Sequence, residues 1–400
     1  MTYKEILELY KKGTLSKEQE EKVKEDIEKH EAISEYLFDA EGLPVFSEEE
    51  IFEGCADDTS SDEQKFVKMI NKSIRRAFVR LGIVVGVVVL ILTLVGTTTL
   101  PYIVDAVYYN PSAVVGDFDG IETNRMALDT AVYTELFTPG YSRTKVDVTR
   151  EGYGRYDICI PQNFSYNGQF TNVFGSVDKG KMTLYSDGLF KLPTSNAFVP
   201  ADIGINSGYG GTGAAGSVEN AKKTLTELDD SDYYVAYVTL DKVMTYDEFV
   251  SWSKETGIDP EWCAVCTETE VNGKSEYDAN EIVGFNYSVS SNQLAYDKEE
   301  YPYLSYFDMT ETLTDFDNDT IDAEVMEQHM TSMLRYMSKQ EKFLHMAGYV
   351  YSEHAFEGLA MNIEENGINI YGFVVVAQRD RLIEISNTQG VYYTYTRPMG

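Results

Sequence analysis

Several things are scarce in this chain, and each scarcity excludes something. Four cysteines in 400 residues are too few for a disulfide scaffold. Lys and Arg total 33 against 66 Asp and Glu, and the resulting net charge of −33 rules out electrostatic capture of nucleic acid by the whole molecule. Basic or cationic partners suit such a surface, and no direct nucleic-acid contact is expected. Four histidines without HExxH spacing, and no GxSxG elbow, leave no recognisable hydrolytic set. The chain is therefore expected not to be an enzyme, with no catalytic residue, cofactor or metal. What is abundant points to folded domains. Hydrophobic residues make up 43% and charged residues 25%, enough to bury sizeable cores. Of 30 tyrosines nearly all lie beyond residue 100, as suits a sheet-rich second half.

Charge is wholly absent from Leu81 to Leu100, LGIVVGVVVLILTLVGTTTL. At about 1.5 Å per residue a helix of that length covers the roughly 30 Å hydrocarbon core of a bilayer. The run follows eighty mostly hydrophilic residues, so it reads as a retained span rather than a cleaved leader. Lys65, Lys68, Lys72, Arg75, Arg76 and Arg80 precede it with no acid after Glu63, while Asp105 is the first charge beyond it. The positive-inside rule then places the N-terminus in the cytoplasm and the C-terminus outside. Residues 1–64 carry a net −13, residues 65–80 carry +6 and residues 101–400 carry −26. Phe66, Met69, Ile70, Ile74 and Phe78 recur at helical spacing, so the basic stretch is expected to extend the span as a helix against anionic headgroups.

Within residues 1–64, Tyr3, Ile6, Leu7 and Tyr10 share one helical stripe that Gly13 stops. Ser16 and Gln19 form a capping box before a second, longer helix bearing Val23, Ile27, Ile33 and Leu37, and Ser47 with Glu50 opens a third. So few large apolar groups bury little surface alone. The stripes are expected to dock on a partner; the alternatives are that the helices pack on each other as a hairpin or remain largely disordered. The candidate partner-binding residues are Tyr3, Ile6, Leu7, Tyr10, Val23, Ile27 and Leu37.

Beyond the span, Arg125–Leu136 reads as a helix ended by Thr138–Gly140, followed by alternating strands with turns at Asn167-Gly168 and Lys179-Gly180. Six glycines in 200–217 mark a connection. A second domain then opens on a strand at Tyr233–Leu240. It continues with a capping box at Thr245 and Glu248, strands at Trp262–Thr267 and Glu281–Ser290, and a helix from about Asp322 to Met346 with Met326, Met330, Met333 and Met337 as a core stripe. A helix at Glu353–Glu365, the strand INIYGFVVVA, a short helix RDRLIEI and a final strand VYYTYT complete it.

The fold class is thus α+β, with a helical cytoplasmic arm (1–64), a basic juxtamembrane helix (65–80) and a single transmembrane helix (81–100). A β-rich external domain (101–199), a Gly-rich linker (200–230) and an α+β external domain (231–400) follow.

Three motifs carry little chemistry. Gly208, Gly210 and Gly213 satisfy GxGxxG without a preceding apolar strand. Trp262, Cys263 and Cys266 spell WCxxC, but the strand-like TETEV follows instead of a helix, so buried strand cysteines are expected. Asp315, Asp317 and Asp319 begin a calcium loop whose glycine is replaced by Thr320 and whose bidentate Glu is replaced by Met326.

Tyr10, Gly13, Leu15, Ser16 and VKEDIEKHEAISEYL (Val23–Leu37) resemble the helical domain of membrane-bound anti-sigma factors. In that family a His-x3-Cys-x2-Cys motif binds zinc. Here Asp26, His30 and Ile33 take those positions, so the resemblance implies no zinc at this site. YYVAYVTLDKVMTYDEFVSW, PEWCAVCTET and GINIYGFVVVAQRDRLIEIS resemble the C-terminal domain of regulators of extracytoplasmic-function sigma factors. The stretch from the basic flank to YYNP and YTELFTPG resembles their N-terminal regulator domain. The resemblance implies a bacterial single-pass regulator of transcription in signal transduction. Its cytoplasmic arm would sequester a sigma factor, and its external domains would sense a signal or control release. Implied partners are a sigma factor inside, the lipid bilayer, and an envelope ligand or second membrane protein outside. The alternative reading is a cell-surface binding or assembly module for which the span is only a tether.

Overall fold

The computed structural model describes residues 6, 9–10, 12–40, 62–142, 145–164, 170–186, 197–199, 213–266, 268–271, 274–277, 282–287, 294–313, 320–349 and 354–399. The chain divides into two compact units, Met1–Val95 and Gly96–Gly400. In the first unit a helical turn that includes Ile6, Leu9 and Tyr10 closes at Gly13, whose φ of 67° suits a residue without Cβ. Helix α1 (Lys17–Ala40) follows Ser16, whose backbone N–H donates to Gln19 Oε1 at 3.4 Å, one half of the expected capping box. Helix α2 (Asp62–Leu94) joins the basic stretch to the apolar run. The Ser47–Glu50 box lies outside the described residues.

The helical run Ile70–Val107 is long and apolar enough to cross a membrane, and none of its most apolar window is buried. A core helix of a soluble protein would be covered by neighbours; this one presents bare aliphatic side chains. Its C-terminal part passes through a π-helical turn, Val95–Thr99, into α3 (Leu100–Val107).

The second unit contains two five-stranded sheets and their helices. After hairpin β1 (Val114–Phe118) and β2 (Ile121–Asn124) comes α4 (Arg125–Phe137), capped by Asn124, whose side chain accepts from Ala127 N at 2.9 Å. The first large sheet is built from β3 (Tyr141–Ser142), β4 (Asp147–Gly152), β5 (Arg155–Phe164), β6 (Phe170–Asp178) and β7 (Lys181–Leu184). It runs in the order β3-β5-β6-β7, with β4 also pairing β5. Tyr156, Ile158, Ile160, Val173 and Val177 face the core, the alternation of a sheet with one wet face.

Within the expected linker, Ser217 caps a helix, α5 (Val218–Thr226), that buries Ala221 and Leu225. The cap and that two-residue apolar stripe outweigh the glycine-rich composition before it. Strand β8 (Tyr233–Thr245) and helix α6 (Tyr246–Thr256) follow, and the Thr245–Glu248 capping box is complete. The remaining strands are β9 (Trp262–Val265), the hairpin β10 (Glu268–Val271) and β11 (Lys274–Tyr277), β12 (Val283–Asn286), β13 (Asn369–Gln378) and β14 (Val391–Pro398). The second large sheet is antiparallel in the order β12-β9-β13-β8-β14. Helices α7 (Tyr306–Thr310), α8 (Ala323–Ser338), α9 (Glu341–Ala347), α10 (His354–Asn366) and α11 (Arg379–Ser386) complete the unit. The helix expected over 322–346 is therefore two, separated by a turn at Lys339-Gln340 whose N–H groups bond Tyr336 O and Met337 O. Met326, Met330, Met333 and Met337 are all buried on α8.

The larger of two buried clusters among the described residues runs through the second unit. Tyr109, Leu128, Tyr133, Phe137, Ile158 and Val177 share a buried cluster with Phe249, Phe285, Met330, Phe343 and Phe373. The segments 101–199 and 231–400, expected as separate domains, thus bury apolar surface in common. Helix α4 explains how: eleven of its thirteen residues are buried, because RMALDTAVYTELF is apolar or small on nearly every side. On the opposite sheet face Phe198 packs edge-on against Tyr237 and Tyr371, and Val199 N donates to Thr239 Oγ1 at 3.0 Å.

Candidate functional site

Two regions gather side chains capable of recognition or coupling. In the arm, Tyr10 and Val23 are buried, Ile6 and Ile27 are half-buried, and Ile33 is 59% exposed. Burial raises the Tyr10 hydroxyl above its ordinary pKa, with Lys24 and Glu20 as its charged neighbours. The first helical turn therefore seats on the opening turns of α1, and the stripe farther along α1 is left partly open. Tyr3 and Leu7 lie outside the described residues, and Leu37 lies on α1. Around this stripe the surface is charged. Lys24 pairs with Glu20 at 3.6 Å, Lys29 with Glu25 at 2.7 Å, and Glu31 reaches Arg76 of α2 at 3.8 Å. Exposed pairs of this kind contribute little to stability. Asp26 is half-buried, and His30 and Ile33 are exposed. Among the described residues no group of three His, Cys, Asp or Glu is arranged to hold a metal ion.

The second region is a buried polar seam in the Gly96–Gly400 unit, which the sequence patterns did not reveal. Asp105 on α3 is 6% exposed and accepts from Arg150 of β4 and, at 2.7 Å, from Tyr156 Oη of β5. The Asp105 carboxylate holds the Arg150 guanidinium above its ordinary pKa, and burial followed by the same carboxylate raises Tyr156. Lys342 Nζ of α9 donates to Val107 O at 2.7 Å, placing a cation on the last carbonyls of α3.

Asp129, wholly buried on α4, accepts from Tyr109 Oη at 2.6 Å and from Tyr336 Oη of α8 at 2.5 Å. Burial raises its pKa from 3.8 to about 6, against the opposing effect of those two hydroxyls. One turn and a half farther along α4, Glu135 Oε1 meets His329 Nε2 of α8 at 3.0 Å and accepts from Asn286 N at 3.3 Å. Glu135 O accepts from Trp262 Nε1 at 2.7 Å. His329 Nδ1 faces Tyr303 O at 2.6 Å, so both ring nitrogens look at oxygen. A carbonyl can only accept, so Nδ1 is the ring nitrogen that donates to Tyr303 O. The partnered carboxylates of this seam thus tie α3 to β4 and β5, and α4 to α8. The only signal for it in the sequence is the presence of Asp129 and Glu135 inside an otherwise apolar helix.

The remaining motifs are absorbed by the fold. Cys263 is buried in β9, and burial raises its thiol well above the ordinary range, so it is unreactive at neutral pH. Of the GxGxxG glycines only Gly213 is described. It bridges to Gly216 beneath Tyr393, where an added Cβ would lie 2.3 Å from Tyr393 Oη. Asp315, Asp317 and Asp319 lie outside the described residues; the N-cap of α8 is Asp322, which accepts from Glu324 N at 2.9 Å.

Residues 225–395 match the family model described as Sigma factor regulator C-terminal. The match runs from the end of α5 into β14 and so takes in the second sheet and the helices packed on it. It supports a sigma factor regulator, a family that is regulatory rather than catalytic and that implies a sigma factor as partner. No curated protein and no solved structure matches the chain.

Proposed function

We propose that the chain is a single-pass cell-membrane anti-sigma factor with its N-terminus in the cytoplasm. In this reading the acidic arm sequesters an extracytoplasmic-function sigma factor, and the Gly96–Gly400 unit, outside, controls its availability. The observation that carries the proposal is the sigma-regulator match at residues 225–395, downstream of an apolar helix none of whose most apolar window is buried and which has a basic N-terminal flank. Positive-inside asymmetry puts the basic flank, and with it residues 1–64, on the cytoplasmic side.

An arm with a net −13 and a partly open apolar stripe suits a basic, amphipathic partner such as a sigma factor's DNA- or polymerase-facing surface. Tyr3, Ile6, Leu7, Tyr10, Val23, Ile27 and Leu37 are the proposed contact set. Tyr10 and Val23, already buried, act by holding the two helical segments together, whereas Ile27 offers apolar surface directly. Co-purification of the full chain in mild detergent is expected to recover a sigma factor, and Ile27→Asp is expected to lose it while leaving the Gly96–Gly400 unit folded. Recovery of envelope components alone would favour a tethered surface module.

A further inference from the structure

The π-helical turn at Val95–Thr99 is where the external fold grips the apolar helix. Tyr153 Oη donates to Gly96 O at 2.5 Å. A π turn shifts the i→i+4 ladder by one residue and frees a carbonyl, and here a side chain from β-structure satisfies it. Tyr153 sits at the tip of the β4–β5 hairpin with φ 52°, flanked by Gly152 and Gly154 at φ 84° and 74°. The contact continues along the helix. An added Cβ on Gly154 would lie 3.0 Å from Val104 Cγ1, the Arg150 guanidinium stands 5.8 Å over the Tyr102 ring, and Arg150 bonds Asp105. The β6–β7 turn lies beside it: that same Cβ would be 3.3 Å from Lys179, and one on Gly180 would be 3.9 Å from Tyr109 N.

Gly96 lies four residues inside Leu81–Leu100, about 6 Å along a helix whose twenty uncharged residues match the hydrocarbon thickness. A hydroxyl bonded to Gly96 O is therefore at the depth where acyl chains meet headgroups. The exposed groups around it suit that zone. Tyr153 is 40% and Tyr102 68% exposed, and aromatic rings with a polar tip concentrate at this level. Lys179, Lys181 and Arg155 are exposed on the two tips, alongside Glu151 and Asp178. Long cationic side chains reach from such positions to lipid phosphates.

We infer that the β4–β5 and β6–β7 hairpin tips form a foot that rests in the outer headgroup layer of the bilayer, with the Tyr153 ring as its anchor and lipid as its partner. The inference rests on the reading of Leu81–Leu100 as a span. The foot makes the outer end of the span, the first sheet and the lipid surface one mechanical unit, because Gly96, Val104 and Asp105 are all held by the same hairpin.

The test places tryptophan in the full chain reconstituted into phosphatidylcholine–phosphatidylglycerol nanodiscs, with emission measured as the difference from the parent protein, which keeps Trp252 and Trp262. Tyr153→Trp is expected to lose its added emission to lipids brominated near the carbonyl end of the acyl chain, more than to lipids brominated deep in the chain, and to resist aqueous iodide. Lys181→Trp gives a second report from the other tip should Tyr153→Trp fold poorly, and is expected to show the same order. Iodide quenching without bromolipid quenching at both positions would overturn the inference. So would protection from both quenchers, which would put a second copy of the chain or another protein over the tips. Leu90→Trp separates the two failures. Deep-bromine quenching at 90 without quenching at the tips removes only the foot, and no bromolipid quenching at 90 removes the span as well.

Discussion

Asp129 shows how much one residue can set. Its carboxyl is fully buried with two tyrosine hydroxyls against it, and burial raises its pKa from 3.8 to about 6. The folded state then keeps a proton that the unfolded chain, near its ordinary value, releases. The contribution is fully present below about pH 4, falls as pH rises through about 4 to 6 and levels off above, amounting to about 3 kcal/mol across that window. Asp129→Asn, which cannot ionise, is expected to flatten this slope. Urea midpoints of the full chain in detergent at pH 4.5 and 7 check it, and an unchanged difference between the two pH values would assign the slope to other groups. The Asp105 site responds differently. Arg150→Ala leaves a 6%-exposed carboxylate with Tyr156 as its remaining donor among the contacts described above, and about 1–2 kcal/mol of stability should be lost, read as a lowered thermal midpoint.

Among the elements, α4 and α8 matter most because they are buried together. Met333 is fully buried on α8 within the cluster that includes Leu128, Tyr133 and Phe137 of α4. Met333→Ala is expected to cost about 2–4 kcal/mol by transfer and cavity terms, measured by denaturant titration. The strands have less tolerance still at Gly284, where β12 meets β9. An added Cβ would lie 1.9 Å from Cys263 O, a backbone atom that cannot move without parting the two strands. Gly284→Ala should therefore destabilise the sheet edge and increase amide exchange in Val283–Asn286. Element positions were largely readable: the methionine stripe, the Thr245–Glu248 box, INIYGFVVVA and VYYTYT carry their period and punctuation locally. The break at Lys339-Gln340 and the helix Val218–Thr226 were not, since neither a strong stop nor a long stripe marks them.

For the whole molecule the decisive arrangement is the proposed bilayer crossing. A basic flank of +6 before an uncharged run predicts that alkaline phosphatase fused after residue 399 is active in intact cells and that the same reporter fused after residue 60 is inactive. The reverse pattern would place the acidic arm outside and remove its access to a sigma factor. The buried cluster shared by 101–199 and 231–400 would also bear on the proposed signalling, because a load or ligand on either segment would act on the same packed helices.

The sequence by itself determined the uncharged run Leu81–Leu100, its basic flank, the acidic charge of residues 1–64 and much of the secondary structure, since each depends on a local count: length, charge or period. Only the tertiary structure decided that α4 is a shared core helix, that Asp105, Asp129 and Glu135 are buried with partners from distant strands and helices, and that Tyr153 reaches Gly96. Those contacts join residues separated by up to about two hundred positions. No periodicity encodes which distant hydroxyl or guanidinium will satisfy a given carboxylate; packing does, because a buried polar group must find its partner wherever the fold brings one within reach.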